Sequence, residues 1–285
     1  MLGGLLAESN LAHVLLAQDD DSAPLRLITR ADDIGAFRSL NRAVEDCLTL
    51  GIARNASVLA PTPFVEEAAE ALAGLEHVCF GLHTALNAEW TSLRWGPVAP
   101  REKVRSLIDD DGNLHQYLPA LKNADADEAL IELTAQLERA RKLGFDIRYA
   151  DSHMGAINQV PGLADRFAAW CASNRIIDSR KARARGLPGI PDYWGRPDHR
   201  KDADFVEVFL KALKSAERGQ TYLIVGHPAY AEEETRALGH DGYPGEAVAA
   251  NLDLERRAFV ALDVVKYCQS GGVRLLRYDE VVGER

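Results

Sequence analysis

The stretch LRLITRADDIG ends an apolar run, Leu25 to Thr29, in two adjacent carboxylates, Asp32 and Asp33. Like charges placed side by side repel, and each costs free energy to desolvate. Three more segments put metal-competent side chains at the ends of apolar runs: His83 in FGLHTALN, Asp151 and His153 in YADSHMG, and His227 in VGHPAY. Singly, each has a plain structural use. An Asp before a helix accepts backbone N–H groups, and a His after a strand is commonly just a hydrogen-bonded side chain. Together they offer a carboxylate and two imidazoles as a facial ligand set for a divalent cation, with positions left for water and substrate. A cation would relieve the repulsion between the two aspartates, with Asp33 binding it and Asp32 left to accept a proton. A Lewis acid beside a base is suited to hydrolysing an amide or an ester.

Such a set forms only if separate segments deliver their ends to one place. Strand and helix signals alternate from Leu25 onward. LRLIT, ARNASVLA, HVCFGLHTAL, FDIRYADSH and TYLIVGHPAY read as strands, and VRLLRYDEVV closes the pattern. Between them, Ala36 to Leu50, PFVEEAAEALAGL, GLADRFAAWCASN and DLERRAFVALDVVKYCQSGG read as helices. ADEALIELTAQLERARKLG is the clearest amphipathic helix, with Leu130, Leu133, Leu137 and Ala140 on one face. Asn87 to Lys122 has no clear period and reads as a long functional loop. Repeated strand-then-helix units imply parallel strands with right-handed crossovers, whose carboxyl ends share one face. The expectation is one α/β domain, barrel-like rather than an open doubly wound sheet, spanning 25–285 behind an N-terminal extension, 1–24.

The chain has 285 residues, 47% of them hydrophobic, and a formal net charge of −10. That size suits one α/β barrel, and the acidity argues against nucleic-acid or anionic-membrane partners. No GxGxxG or GxxxxGK[ST] loop is present, which weakens nucleotide readings. The four cysteines, Cys47, Cys79, Cys171 and Cys268, are scattered and read as reduced core residues. Met1 to Gln18 is Leu- and Ala-rich but lacks a basic start and is interrupted by Glu8, Asn10 and His13. It reads as an amphipathic helix or an over-long start. Cytoplasmic location is expected, with export through this segment as the alternative, and a homodimer is compatible with the sequence.

The four motifs, in their order and approximate spacing, resemble the YdjC/ChbG carbohydrate deacetylases. ITRADDIG is similar to that family's N-A-D-D-[FY]-G opening, FGLHTALN to G-L-H-L-N-L-T, YADSHMG to D-[SG]-H-x-H, and VGHPAY to a late H-P-G. GPVAPREKVRSLIDDDGNLHQ is similar to a further family stretch. The resemblance implies a distorted TIM-type barrel and metal-dependent removal of an acetyl group from an N-acetylated sugar. It implies one divalent ion, Mg²⁺ or Zn²⁺, on Asp33, His83 and His153. It implies Asp32 as general base, His227 as general acid or oxyanion partner, and Asp151 as support for His153. Arg30, Thr84, Ala85, Gly155 and Ala229 depart from the family pattern and alter the pocket without removing a ligand.

Trp90, Trp95 and Tyr230, in loop-like segments after strands, are candidates for stacking on a sugar ring. Trp194 reads as a core plug, and the basic stretch RIIDSRKARARG as a solvated helix face. His13, His77, His115, His199 and His240 fall in helix, linker or loop contexts and read as background. Two other functions fit the same residues: a different metal-dependent amide or ester hydrolase, and a sugar-binding barrel without catalysis. Keeping both aspartates favours catalysis, because a binding protein needs no base.

Overall fold

Leu25–Ile34 (β1) is buried along almost its whole length, as a central strand covered on both faces must be. The structure, a computed structural model, describes residues 23–190 and 205–283. The other strands are Asn55–Val58 (β2), Cys79–Thr84 (β3), Ile147–Ser152 (β4), Ile177–Asp178 (β5), Arg185–Gly186 (β6), Thr221–Gly226 (β7) and Val273–Leu276 (β8). Every pairing is parallel, in the order β5-β4-β3-β2-β1-β7-β6, with β8 also on β1. β8 takes the first half of β1 opposite β7, and β2 takes the same side from Arg30 onward. Asn55 closes that junction. Its Nδ2 donates to Thr29 O at 3.0 Å and Leu276 O at 2.9 Å, and its Oδ1 accepts from Tyr278 N at 2.9 Å. The curled sheet with its surrounding helices is the expected distorted TIM-type barrel.

The helices are Arg38–Thr49 (α1), Val65–Leu72 (α2), Ala126–Lys142 (α3), Leu163–Ser173 (α4), Phe205–Ser215 (α5), Glu233–Arg236 (α6), Gly245–Val260 (α7), Leu262–Gln269 (α8) and Tyr278–Gly283 (α9). Leu133, Leu137 and Ala140 of α3 are fully covered, as their period requires, and Leu130 is partly covered. Three expectations need correction. DLERRAFVALDVVKYCQSGG is two helices, because Ala261 adopts an extended ψ of 128°. VRLLRYDEVV stays extended only to Leu276 and then turns into α9. RIIDSRKARARG is no α-helix. It forms β5, a tight turn and β6, with buried Asp178 accepting from Arg180 N and pairing with the Arg180 side chain at 2.7 Å.

Two local arrangements bear on the site. A Cβ on Gly81 would lie 2.2 Å from the Tyr149 ring. Glycine there lets Tyr149 stack on Tyr278, centroids 4.4 Å apart, in a plug with Ile28, Cys79 and Leu276. The long segment 87–122 is tied down by α3. The fully buried Glu132 carboxylate accepts from Val98 N and Ala99 N, each at 2.9 Å. One turn on, Gln136 clasps Ala85 through both its N–H and its carbonyl. All four cysteines are free and buried. No described helix is long and apolar enough to cross a membrane. Met1 to Gln18, Trp194 and His199 lie outside the described residues.

Candidate metal centre and its cavity

Both aspartates lie near the end of β1, where its pairing with β2 shifts register between Ala31 and Ile34. Asp33 sits at φ 69°, a left-handed conformation that Asp tolerates better than most residues. Gly35 follows at φ 97°, where a Cβ would meet Thr62 Oγ1 at 2.7 Å and Val65 at 2.9 Å. Asp33 therefore faces a cavity of about 310 Å³, lined also by Glu89, Trp90, His153, Met154, His227 and His240. Asp32 is buried against Arg30. Both its oxygens accept from Arg30, Nε at 2.8 Å and Nη2 at 2.7 Å. Arg30 also pairs with Asp151 at 2.7 Å and donates to Tyr278 Oη at 3.0 Å.

His83, at the end of β3, presents Nε2 to Asp33 Oδ1 at 3.4 Å and lies 3.8 Å from Asp32 Oδ2. Its Nδ1 looks back to Asp151 at 3.5 Å. His153, directly after β4, presents Nδ1 to the same Asp33 oxygen at 3.4 Å. The two imidazoles meet edge to face, centroids 5.0 Å apart. These three ligand atoms lie within 4.8 Å of one another. Asp33 Oδ1 is buried and accepts no hydrogen bond among the described residues. A buried carboxylate oxygen normally finds a partner, so an oxygen left open between two imidazole nitrogens matches the donor set of a divalent cation. The Asp33 carboxyl is held well below the usual carboxylate range: burial alone would raise it, but His153 and His83 outweigh that. Burial would lower the His83 imidazole, yet Asp32, Asp151 and Asp33 hold it up at about 9.

His227, just past β7, lines the same cavity. Its backbone N–H donates to Glu255 Oε2 at 2.6 Å, and its Nδ1 lies 3.5 Å from that oxygen. Burial pulls its pKa down, but Glu255 and the facing aspartates raise it overall. Asp151 sits beside His83 rather than His153 and is fixed by Ser179 Oγ at 2.7 Å. Trp90 is a cavity wall. Trp95 packs behind His153, its ring centroid 6.4 Å away. Tyr230 lies away from the cavity lining, between the cations Arg42 and Arg256, with its hydroxyl on Asp46.

The cavity contains residues the motifs did not single out. His240 stacks against Trp90 at 5.9 Å. Their loops are joined where Thr91 N donates to Gly239 O at 2.9 Å and Ser92 Oγ to Ala237 O at 2.6 Å. His240 follows no strand, so nothing local marked it. Met154 Sδ accepts from Asn87 Nδ2 at 3.1 Å. Among the described residues the Glu89 carboxylate hydrogen-bonds only with His153, its Oε2 lying 2.9 Å from Nε2. Its position beside Trp90 was its only sequence signal.

Comparison with known proteins agrees with this fold. A family model described as YdjC-like protein matches residues 26–261. A protein of Thermoanaerobacter pseudethanolicus named carbohydrate deacetylase is 28% identical over 259 residues, covering 88% of this chain and 97% of that one. A protein of the same name from Geobacillus stearothermophilus is 26% identical, covering 73% of this chain and 81% of its own. A crystal structure from Enterococcus faecalis, named for cellobiose-phosphate cleavage, shares the fold with a TM-score of 0.69 at 18% identity, covering 91% of this chain and 99% of that one. With a family model matched from the first strand to the end of the long C-terminal helix, the chain belongs to the YdjC-like proteins.

Proposed function

We propose that this chain hydrolyses the acetyl amide of an N-acetylated sugar or oligosaccharide. The observation that carries the reading is the buried Asp33 Oδ1, which accepts no hydrogen bond among the described residues and sits between His83 Nε2 and His153 Nδ1 at the wall of a cavity. Relatives named carbohydrate deacetylase supply the substrate class. Asp33, His83 and His153 would hold one divalent ion, Zn²⁺ or Mg²⁺, which supplies Lewis-acid polarisation when bound.

The chain's own groups divide the proton work. Asp32 takes a proton from the attacking water, its carboxylate fixed in place by Arg30. His227, kept protonated more readily by Glu255, gives a proton to the departing amine nitrogen. Asp151 steadies the back of His83. Trp90 offers an apolar face to the sugar ring. The test is acetate release from N-acetylated mono- and oligosaccharides by protein stripped with a chelator and then given Zn²⁺ or Mg²⁺. Release that depends on the added ion is the expected result. A protein that binds the sugars but frees no acetate would be a binding barrel, and one active only on other amides or esters would be a different hydrolase.

A further inference from the structure

The two histidines of the centre turn opposite nitrogens to it. His83 uses Nε2 and sets Nδ1 toward Asp151, whereas His153 uses Nδ1 and sets Nε2 toward Glu89. A neutral imidazole carries its proton on one nitrogen only, so the nitrogen facing a cation must be the bare one. For His153 that requires the proton on Nε2, where a fixed acceptor is needed. Glu89 is that acceptor: it is buried, its Oε2 lies 2.9 Å from Nε2, and it shares the cavity wall with His153. Its backbone is held as well. Gln116 Nε2 donates to Glu89 O at 3.0 Å, and Ala88 N donates to His115 O at 3.0 Å. Trp95 backs the His153 ring.

Resting on the cation reading above, we infer that Glu89 is a positioning residue, which fixes the tautomer and ring orientation of His153 so that Nδ1 faces the ligand set. The role that sequence resemblance gave to Asp151 toward His153 then falls to Glu89, and Asp151 serves His83. Glu89 and Trp90 are consecutive, so one loop sets both a ligand histidine and the sugar-facing wall. Changes in this loop therefore act on metal affinity and on substrate fit together.

The test is Zn²⁺ affinity, measured without substrate by competition with a chromophoric chelator, in wild type, Glu89→Ala, Glu89→Gln and Glu89→Asp. Losing an outer partner of a ligand histidine typically weakens binding roughly 10- to 100-fold, and Glu89→Ala is expected in that range. Glu89→Gln keeps an acceptor oxygen and should lose less. Glu89→Asp withdraws the carboxylate by one methylene and should weaken binding several-fold, a milder change that leaves the fold intact where alanine disrupts it. Wild-type Zn²⁺ affinity in Glu89→Asp and Glu89→Gln would overturn the positioning role alone. No Zn²⁺ uptake by wild type would overturn it together with the cation site.

Discussion

Asp32 and Asp33 show how two adjacent, identical side chains come to have different surroundings. Asp32 is matched by Arg30 on both oxygens, and Asp33 Oδ1 is left open between two imidazoles. Asp32→Asn is expected to keep the cation and lose turnover by roughly two to four orders of magnitude, the usual worth of general-base catalysis. Asp33→Asn is expected to lose cation affinity as well, because a neutral amide is a poor ligand for a dication. Steady-state kinetics with metal analysis separates the two, and a reversed pattern would exchange the roles. The pH dependence of the metal-free protein follows from the same residues. His83 is raised to about 9, so its contribution to stability is complete below its ordinary value of 6.5 and is lost as pH rises through about 9. Asp33 is lowered, so its contribution is present above the ordinary range near roughly 4 and is lost as pH falls below it. Chelated protein should therefore melt highest between about pH 4 and 6.5 and lower by pH 10. A melting temperature flat from pH 6 to 10 would contradict these pairings. Asp33, His83, His153 and His227 were legible because each ends a strand. Glu89 and His240 were not, because only the folded loops bring them to the cavity.

Elements deliver these residues through contacts that sequence period alone does not display. The regular strands and the α3 face follow from alternation and helical spacing, and they were legible. β5 and β6 are two residues each, too short to leave a pattern, so a run rich in Arg and Lys read as helix. Tyr278 belongs to the closing segment yet meets Arg30 and Tyr149, a pairing across the barrel that no local signal encodes. Two substitutions probe this level by thermal unfolding. Gly81→Ala drives a methyl into the Tyr149 ring and should cost about 3 kcal/mol, the upper part of the overpacking range. Glu132→Ala removes the acceptor for Val98 N and Ala99 N and should cost about 2 kcal/mol. It should also loosen the loop carrying Glu89 and Trp90, raising KM more than it lowers kcat.

For the whole molecule, parallel strands gather four sequence motifs, spread from Asp32 to His227, on one rim. The alternation of elements made that architecture legible, whereas the junction of β8, β2 and β1 through Asn55 depends on tertiary hydrogen bonds. A cation bridging β1, β3 and the segment after β4 should stabilise the entire barrel. At a free concentration a hundred times its Kd, the gain is about 2.7 kcal/mol, or roughly 5 °C in melting temperature for a chain of this size. The most direct measurement is elemental analysis of the purified protein beside Asp33→Asn, His83→Ala and His153→Ala, all dialysed against the same Zn²⁺ buffer. The expected result is close to one equivalent of metal in wild type, with most of it lost from each variant. Full occupancy in both His83→Ala and His153→Ala would contradict the centre.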